Sequence, residues 1–323
     1  MTAAKRDPFK QQHGLLVLDK PQGPTSAACL EKIKRRLKQK KIGHAGTLDP
    51  MAQGVLLVLL GQGTKLAPYL TEGKKVYQGW LRLGLETDTL DIDGQILAHY
   101  DWQHVQPEDV RQELQAWTEL HSQKIPVYSA AKHQGQPFYK LQRQGREVPA
   151  KYKSITIDQA QVLDLSLPNV HFRVTCSTGT FIRSLAHSLG MRLGCGAVLT
   201  ELQREASQPF SLEQATSLQA ILQEPECLPE LVLPIARALP HWPRITLEPE
   251  QAKLVGQGRR LSLQETHAAS PWTPGTRALL QTRGQEPVAL VQLQGEKGQA
   301  YWEILRGFAP HQADRAMWDA PQV

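Results

Sequence analysis

GHAGTLDP, residues 43–50, is a loop sequence between a strongly basic helical segment and the long apolar run VLLVLL at residues 55–60. Two glycines, a histidine and an Asp-Pro pair make this connection conformationally expensive. Taken alone, Asp49 is a common turn residue that hydrogen-bonds its own backbone, and His44 is a surface or core imidazole. The loop alone therefore does not show whether it is a structural turn or a chemical site, and the sequence on both sides of it has to be considered.

Strands and helices are mixed on both sides of this loop. Continuous apolar runs of strand length predict buried strands, and apolar residues at helical spacing predict amphipathic helices. The elements lack the regular alternation of a doubly wound parallel sheet, so an α+β fold is expected. The predicted strands are LLVLD at residues 15–19, GVLLVLLGQG at 54–63, KVYQGWLRLGLETD at 75–88 and HFRVTC at 171–176, and the predicted helices lie in QPEDVRQELQAWTEL at 106–120 and STGTFIRSLAHSLGMRLG at 177–194.

The helix that precedes the loop carries a dense positive charge. Thr25 or Ser26 is expected to cap it, and it is predicted to run to about Gln39. Two interpretations are open for an isolated helix of this kind: a solvated face whose last lysines favour the helix dipole, or a surface that contacts phosphates. The positive residues are Lys32, Lys34, Arg35, Arg36, Lys38, Lys40 and Lys41.

Composition limits the classes of protein. The 323 residues are 41% hydrophobic, enough for a packed core, and the net charge of +6 is only a mild bias toward polyanions. The longest apolar run is far shorter than the ~20 residues of a membrane-spanning helix, and no secretory signal is present, so we expect a cytoplasmic protein without membrane contact. The four cysteines are widely spaced and are interpreted as buried thiols.

No cofactor or metal motif occurs in the sequence. Gly61-Gln62-Gly63 lacks the third glycine of a dinucleotide fingerprint, and there is neither a Walker A loop nor an HExxH sequence. His44 and Asp49 have no further ligand pair nearby. We therefore expect no cofactor and no metal.

A cluster of prolines between residues 225 and 243 divides the sequence into two unequal units. The main unit is predicted at residues 13–240, after a disordered N-terminus at 1–12. Beyond the prolines, short β-like runs separated by glycine and proline turns predict a small β-barrel at 245–310, followed by a tail at 311–323.

Further motifs occur in a characteristic order. They are DKPQGPTS at residues 19–26, GHAGTLDPMAQGVL at 43–56, KVYQGWLRLGLETDTLDIDG at 75–94, SAAK at 129–132, YKLQRQG at 139–145 and CSTGTFIRSLAHSLG at 176–190. Together they closely resemble the bacterial tRNA pseudouridine-55 synthase family, the TruB type. The resemblance is strong over residues 14–207 and weak in the C-terminal unit.

This resemblance implies a fold and an activity. The fold would be a mixed, mainly antiparallel catalytic sheet with flanking helices and RNA-binding insertions, followed by a PUA-like barrel. The activity would be isomerisation of uridine 55 in the T-loop of tRNA to pseudouridine, with base flipping and without a cofactor. The enzyme would act on the T-arm stem-loop as a monomer, with no guide RNA and no obligate protein partner.

The resemblance also assigns catalytic roles. The family's catalytic aspartate falls on Asp49, which must be ionised to act as a nucleophile. Three routes are open: attack at the ribose C1′, attack at the uracil C6, or removal of a C2′ proton. Arg183 is the partner of this carboxylate, and its planar guanidinium is expected to pair with Asp49 in bidentate fashion. Tyr77 would stack on the target uracil near C5.

Other residues are assigned around the base by the same resemblance. His44 would stack where the extruded base had been, and Phe181 and Leu202 would line the pocket. Lys20 and Pro21 would support the catalytic loop. At Phe181 the sequence departs from the family pattern, which has tyrosine, so packing is kept and a hydroxyl hydrogen bond is lost.

With this context the basic helix is better interpreted as a phosphate-binding surface, which the segment after residue 130 extends. A non-catalytic RNA-binding module and an RNA-guided synthase are the alternatives. The intact set Asp49, Tyr77 and Arg183 favours catalysis. The candidate contacts to the RNA backbone are Lys34, Arg35, Arg36, Lys38, Lys132 and Arg143.

Overall fold

The apolar runs of the sequence form the strands of the structure, a computed structural model that describes residues 10–266, 272–295 and 299–309. In chain order the strands are β1 (Gly14–Lys20), β2 (Ile42–Ala45), β3 (Ala52–Leu60), β4 (Lys75–Leu83), β5 (Leu85–Thr87), β6 (Ile96–His99), β7 (Ser122–Lys124), β8 (Lys132–His133), β9 (Gln136–Pro137), β10 (Tyr152–Ser154), β11 (Ile157–Ser166), β12 (Asn169–Cys176), β13 (Ala197–Ser207), β14 (Phe210–Ser211), β15 (Thr216–Ser217), β16 (Leu233–Pro234), β17 (Arg244–Leu247), β18 (Leu261–Ser262), β19 (Arg277–Thr282), β20 (Pro287–Gln294) and β21 (Tyr301–Gly307).

Helices occur at all three predicted positions and in the connections. In chain order they are α1 (Ser26–Arg36), α2 (Ala67–Thr71), α3 (Pro107–Gln115), α4 (Phe138–Arg143), α5 (Ile182–Arg192), α6 (Leu218–Gln223), α7 (Leu228–Leu231), α8 (Ile235–Ala238) and α9 (Pro249–Gly256). Single 3₁₀ turns cover Gly61–Leu66, Ala116–Glu119, Leu212–Gln214 and Pro225–Cys227. None of the helices in the described ranges is both long enough and apolar enough to cross a bilayer.

Helix α1 begins where the sequence predicts and ends earlier. The Thr25 side chain caps it by accepting a hydrogen bond from the amide of Ala28 at 3.0 Å. The predicted end near Gln39 is wrong, because Lys38 adopts a left-handed conformation with φ of 50°. The Gln39 side chain then turns inward, is 2% exposed, and donates to the carbonyl of Leu37. Burial of this turn stops the helix at Arg36.

The ten-stranded sheet is mixed and mainly antiparallel, so the predicted α+β class is confirmed. Its main path runs β11-β12-β4-β13-β3-β1-β15, and β14, β16 and β2 pair with β13, β1 and β3. The pairs β1–β15 and β13–β3 are parallel, while β4 pairs antiparallel with both β12 and β13. The parallel β3–β13 pair lies at the centre of the path, where the Asp49 loop enters β3.

Both faces of the central strands are covered, which explains their continuous apolar sequences. Leu16 and Leu18 of β1 belong to a core that includes α1, α3 and α5. Leu15 and Val17 belong to a second core on the opposite face, which residues of β19 and β20 and the side chain of Phe308 complete. The C-terminal sheet is therefore packed directly against the larger one.

The C-terminal strands form a five-stranded sheet in the order β17-β19-β20-β21-β18. This arrangement is compatible with the PUA-like barrel that the resemblance implies. Of the predicted N-terminal and C-terminal tails, residues 1–9 and 310–323 lie outside the described residues. Within the described part of the predicted N-terminal tail, the amide of Gln12 donates to Gln39 Oε1, in the turn after α1, at 2.9 Å.

Three of the four cysteines are buried, as expected. Cys227 is partly exposed, so the interpretation of all four as buried thiols is wrong for this residue. It closes a short 3₁₀ turn at the surface, where its thiol contacts Glu224. The described residues also contain no cluster of three or more histidine, cysteine, aspartate or glutamate side chains arranged to hold a metal ion.

One row of the ten-stranded sheet places four residues side by side. Lys20 of β1 pairs with Gly54 of β3, Gly54 pairs with Arg204 of β13, and Arg204 pairs with Tyr77 of β4. Directly opposite residues in a sheet project to the same face. Two cations and a phenol are thereby aligned beside the point where the Asp49 loop enters β3.

Candidate active site

Asp49 lies in the loop between β2 and β3, and an arginine of α5 holds its carboxylate. Arg183 Nε donates to Asp49 Oδ2 at 2.9 Å. The arginine side chain is only 5% exposed, whereas the aspartate side chain is 40% exposed. The pair thus combines a buried, fixed cation with a carboxylate that solvent and a ligand can reach.

The guanidinium of Arg183 does not form the predicted bidentate pair. Its Nη1 donates to the carbonyl of Thr89 at 2.7 Å, and its Nη2 donates to the carbonyl of Tyr128 at 2.9 Å. Asp49 receives a hydrogen bond from Nε alone, so the expectation of a two-point contact is wrong. The fork instead fixes three separate segments of the chain to one another.

A second carboxylate, Asp91, approaches the same nitrogen of this arginine. Its Oδ2 is 3.7 Å from Arg183 Nε, and its Oδ1 accepts a hydrogen bond from the Thr89 hydroxyl at 2.6 Å. Burial raises the pKa of Asp91, whose residue is 6% exposed. Sequence reasoning did not single out Asp91, although the motif TDTLDIDG at residues 87–94 offered the signal of a further acidic residue.

Tyr77 projects from the centre of β4 and is 8% exposed. Burial raises the pKa of its phenol, and the charge of Arg204 opposes this shift. Leu202 of β13 lies opposite Gly79 on β4 and Ala52 on β3, so it is buried between the strand of Tyr77 and the strand that follows the loop. The structure therefore places Tyr77 and Leu202 on adjacent central strands.

Phe181 immediately precedes α5 and is partly buried. Its backbone is clamped by the side chain of Gln123, which accepts from the amide at 2.8 Å and donates to the carbonyl at 3.0 Å. Gln123 fixes the entry of the helix that carries Arg183. This contact was missed, because a lone glutamine in a short strand gives no signal in the sequence.

Lys20 is fully buried and bonds the end of the Asp49 loop. Its Nζ donates to the carbonyl of Ala52 at 2.6 Å and lies 3.4 Å from the carbonyl of Pro50. Burial lowers the pKa of this amine. Pro21 is exposed, and its carbonyl accepts a further hydrogen bond from Lys20 at 3.0 Å. Lys20 thus bonds the end of the loop, and Pro21 accepts through its carbonyl.

His44 lies on β2, opposite Val58 of β3. Burial, and next the charge of Arg204, lower the pKa of this imidazole, so it is uncharged at neutral pH. Its Nδ1 is buried and has no hydrogen-bond partner among the described residues. The ring is therefore neutral and has a polar atom that the described protein does not satisfy.

The candidate contacts to the RNA backbone lie in two separate regions of the chain. Four belong to α1 and the turn after it, where Arg35 pairs with Glu31 at 2.8 Å and Arg36 Nε donates to the carbonyl of Leu222 at 3.0 Å. Lys132 lies in β8, and Arg143 ends α4. Lys34 is partly buried, and Arg35, Arg36, Lys38, Lys132 and Arg143 are exposed.

Family models cover most of the catalytic sheet. A model described as TruB family pseudouridylate synthase (N terminal domain) matches residues 34–182, and one described as tRNA pseudouridylate synthase B C-terminal domain matches residues 183–240. The Asp49 loop and Tyr77 fall within the first match, and Arg183 is the first residue of the second.

Named relatives match nearly the whole chain. The tRNA pseudouridine synthase B of Nitratidesulfovibrio vulgaris (strain Miyazaki F) is 55% identical over 299 residues, which are 92% of this chain and 97% of the relative. The protein of the same name from Thermotoga maritima is 34% identical, over 91% of this chain and 94% of the relative.

Solved structures share the fold. A chain in the crystal structure of a Cbf5-Nop10-Gar1 complex is similar with a TM-score of 0.71 and 27% identity, over 95% of this chain and 88% of that one. The archaeal box H/ACA sRNP Nop10-Cbf5 complex gives a TM-score of 0.69 at 24% identity, over 100% and 96% of the two chains, and supports the fold alone. Because the family models cover the Asp49 loop and the relatives extend over almost all of the sequence, this chain belongs to the TruB family of pseudouridylate synthases.

Proposed function

We propose that this chain isomerises uridine 55 in the T-loop of tRNA to pseudouridine, acting alone with Asp49 as its nucleophile. The names of the relatives support a tRNA substrate, and the Asp49–Arg183 pair supports the choice of nucleophile. In the reaction the N1–C1′ bond breaks and a C5–C1′ bond forms, while C5 loses a proton and N1 gains one. Atoms balance within the nucleotide, so no redox partner or group donor is needed.

The observation that carries this proposal is the difference in exposure within the ion pair. Arg183 is 5% exposed and is fixed by two loop carbonyls, whereas the Asp49 side chain is 40% exposed. A nucleophile needs an accessible, ionised oxygen whose direction does not vary. The buried guanidinium supplies the countercharge and the direction, and the open side of Asp49 supplies the access.

The target uridine must leave the folded T-arm before Asp49 reaches it, at a cost of a few kcal/mol. We assign the space it leaves to His44, whose neutral ring stacks on bases without introducing a charge. Tyr77, Leu202 and Phe181 form the apolar and aromatic walls that receive the uracil.

Binding of the T-arm is assigned to phosphate contacts and to shape. Exposed lysines and arginines on α1 and around α4 contact phosphates, which position the RNA without reading its sequence. Specificity comes from the shape of the loop and from its splayed bases. We assign the proposed reaction to the cytoplasm, and the tRNA substrate named for the relatives supports this assignment.

The test is to incubate the purified protein with an unmodified tRNA transcript and with the isolated T-arm, and to map pseudouridine without any added cofactor. Wild type is expected to give pseudouridine at position 55. Asp49→Asn keeps the size and removes the charge, so it should give no product while RNA binding stays within about threefold of wild type. Asp93→Asn, an exposed carboxylate in the neighbouring motif, is the matched control and should be fully active.

Two results would overturn the proposal. Full activity of Asp49→Asn would remove this residue as nucleophile. Absence of product from wild type, despite tight binding, would favour a non-catalytic RNA-binding module or a synthase that needs partners. A similar solved chain belongs to a Cbf5-Nop10-Gar1 complex, so a synthase that depends on partner proteins is the second candidate function. Product from the chain alone on the bare T-arm excludes it.

A further inference from the structure

A second buried arginine, Arg204, lies against the loop that carries Asp49. It is 1% exposed, and its guanidinium donates to three backbone carbonyls. Nε reaches Val55 at 2.7 Å, Nη2 reaches Gly46 at 2.9 Å and Nη1 reaches Thr47 at 3.4 Å. In the described part of the chain no carboxylate forms an ion pair with it. Burial of an uncompensated cation is expensive, so this guanidinium holds the backbone at the expense of stability.

Further buried side chains form hydrogen bonds with the backbone of the Asp49 loop. Lys20 bonds its end at Ala52, and Ser26 bonds its middle, since the Ser26 hydroxyl donates to the carbonyl and accepts from the amide of Leu48, both at 2.9 Å. Arg204 bonds the segment before Asp49 and also the strand after it. It therefore ties together the two chain segments between which Asp49 projects.

Two glycines with left-handed backbone conformations lie against Arg204, Gly46 beside its guanidinium and Gly54 beside its backbone. Gly46 has a φ of +87°, and a Cβ there would lie 3.5 Å from Arg204 Nη1. Gly54 has a φ of +103°, and a Cβ there would collide with the carbonyl of Arg204. Other residues adopt such φ values only under strain. The glycines of GHAGTLDPMAQG are thus matched to an arginine about 150 residues away in the sequence.

The same charge acts on two further residues of the site. Arg204 lies opposite Tyr77 in the β4–β13 register, and it lowers the pKa of the phenol against the effect of burial. It also contributes to the lowered pKa of His44, after burial. Three groups that the proposed reaction uses, the Asp49 loop, Tyr77 and His44, are therefore adjacent to one guanidinium.

We propose that Arg204 is a positioning residue of the isomerisation: it fixes the Gly46 and Thr47 carbonyls so that Asp49 stays aimed at the extruded uridine. The assignment rests on the proposed function. Arg204 acts through the loop and touches no reacting atom. A displacement of about 1 Å at a reacting group can lower a rate about 100-fold, which sets the expected size of the effect.

The experiment compares Arg204→Gln and Arg204→Lys with wild type in single-turnover pseudouridine formation on tRNA, with enzyme in excess, and measures the Kd for the T-arm in parallel. Arg204→Gln should lower the rate about 100-fold and change Kd less than threefold. Arg204→Lys keeps the charge and should recover part of the rate, because one ammonium cannot replace the three-point fork. The control is Arg173→Gln, an exposed arginine of β12 that pairs with Glu205 at 2.6 Å, and it should match wild type.

A role in stability alone would lower the folded fraction and leave the rate per folded molecule unchanged, so rates are normalised to the folded fraction from thermal melts. A wild-type rate per folded molecule in Arg204→Gln and Arg204→Lys overturns the proposal, as does a rate loss matched by an equal loss of RNA binding. If Arg204→Gln does not fold, the rate per folded molecule and the Kd of Arg204→Lys test the proposal in the same way.

Hydrogen exchange separates this inference from the proposed function. The amides of Leu48 and Ala52 are hydrogen-bonded within the loop region, so peptides spanning residues 46–52 should exchange more slowly in wild type than in Arg204→Lys. If wild type makes no pseudouridine, the proposed function fails, and the exchange of these peptides alone decides whether Arg204 holds the loop. Unchanged exchange overturns it.

Discussion

Two arginines beside the Asp49 loop, Arg183 of α5 and Arg204 of β13, are buried and bond backbone carbonyls. Arg259 and Arg283, next to strands of the five-stranded sheet, are instead exposed and pair with glutamates. Arg183 and Arg204 are 4% and 1% exposed as residues. In the C-terminal sheet region, Arg259 pairs with Glu265 at 2.9 Å, with the arginine side chain 53% exposed. The ion pair Arg283–Glu248, at 2.8 Å, is of the same kind, with the arginine side chain 75% exposed.

This contrast in burial sets the expected size of the effect of each substitution. A buried guanidinium loses its hydration and is retained only where fixed partners compensate it. An exposed pair contributes about 0–1 kcal/mol and is already neutralised locally. Changes at the buried cations should therefore have large and specific effects. Changes at the C-terminal pairs should have small ones, on stability and on RNA binding alike.

The largest effect is expected at Arg183. Arg183→Lys keeps the charge and loses the fork that bonds Asp49, Thr89 and Tyr128 at once. Single-turnover pseudouridine formation should fall at least about 100-fold, which is about 2.7 kcal/mol of transition-state stabilisation. The Kd for tRNA should change less than threefold.

The matched control for this variant is Arg192→Lys on the same helix. Arg192 is more exposed and pairs with Glu113 at 2.7 Å, away from the Asp49 loop. It should keep the wild-type rate. A wild-type rate in Arg183→Lys would remove the three-point contact from the mechanism and weaken the contrast between the two sheets.

The sequence predicted those parts of this site that local motifs mark. Asp49, Tyr77 and Arg183 follow from ordered motifs, and β1 and β3 follow from their apolar runs, because strands covered on both faces need no polar residues. Each of these features depends on a short stretch of consecutive residues. The strand positions and the main candidate residues could therefore be stated before the structure was known.

The remaining features depend on contacts that join distant segments. Arg204, Ser26 and Gln123 each bond a backbone that is remote in sequence, and polar side chains in strands or at helix starts are too common to be informative. The bidentate pair was wrong for the same reason, since Thr89 and Tyr128 take the other nitrogens of Arg183. Only the folded chain shows how those donors are divided.

A second, smaller effect is expected in the pH dependence of stability. Burial lowers the pKa of Lys75, next to the row of Arg204 and Tyr77, from 10.5 to about 8. Below pH 8 the amine is charged in both the folded and unfolded states, and the penalty for its burial is fully present. Between pH 8 and about 10 the unfolded state binds more protons, so this residue's contribution to the free energy of unfolding rises with pH.

Lys75→Met removes this titration. The free energy of unfolding of wild type minus that of Lys75→Met should therefore increase by about 2 kcal/mol from pH 8 to pH 10 in denaturant titrations. The neighbouring Lys74 is 55% exposed and pairs with Asp158 at 2.7 Å, so the corresponding difference for Lys74→Met should stay flat over this range. Equal slopes for the two variants would show that Lys75 is not a buried cation in solution.

The smallest effect compares the exposed charges of α1 with those of the C-terminal sheet. Arg35→Ala combined with Arg36→Ala removes two exposed cations from α1, where Arg35 has only an exposed helical pair with Glu31 and Arg36 bonds a carbonyl. Each lost phosphate contact should lower the slope of log Kd against log salt by about 0.7–0.9, so the double variant should lose about 1.5.

The equivalent double variant of the C-terminal sheet, Arg259→Ala with Arg283→Ala, sharpens the comparison. Both arginines pair with glutamates, so their removal should leave the salt slope unchanged and should alter the free energy of unfolding by less than about 1 kcal/mol per pair. An unchanged slope for the α1 variant would contradict the assignment of phosphate contacts to that helix. A reduced slope for the C-terminal variant would mean that RNA displaces the glutamates, and that Arg259 and Arg283 contribute to tRNA binding as well.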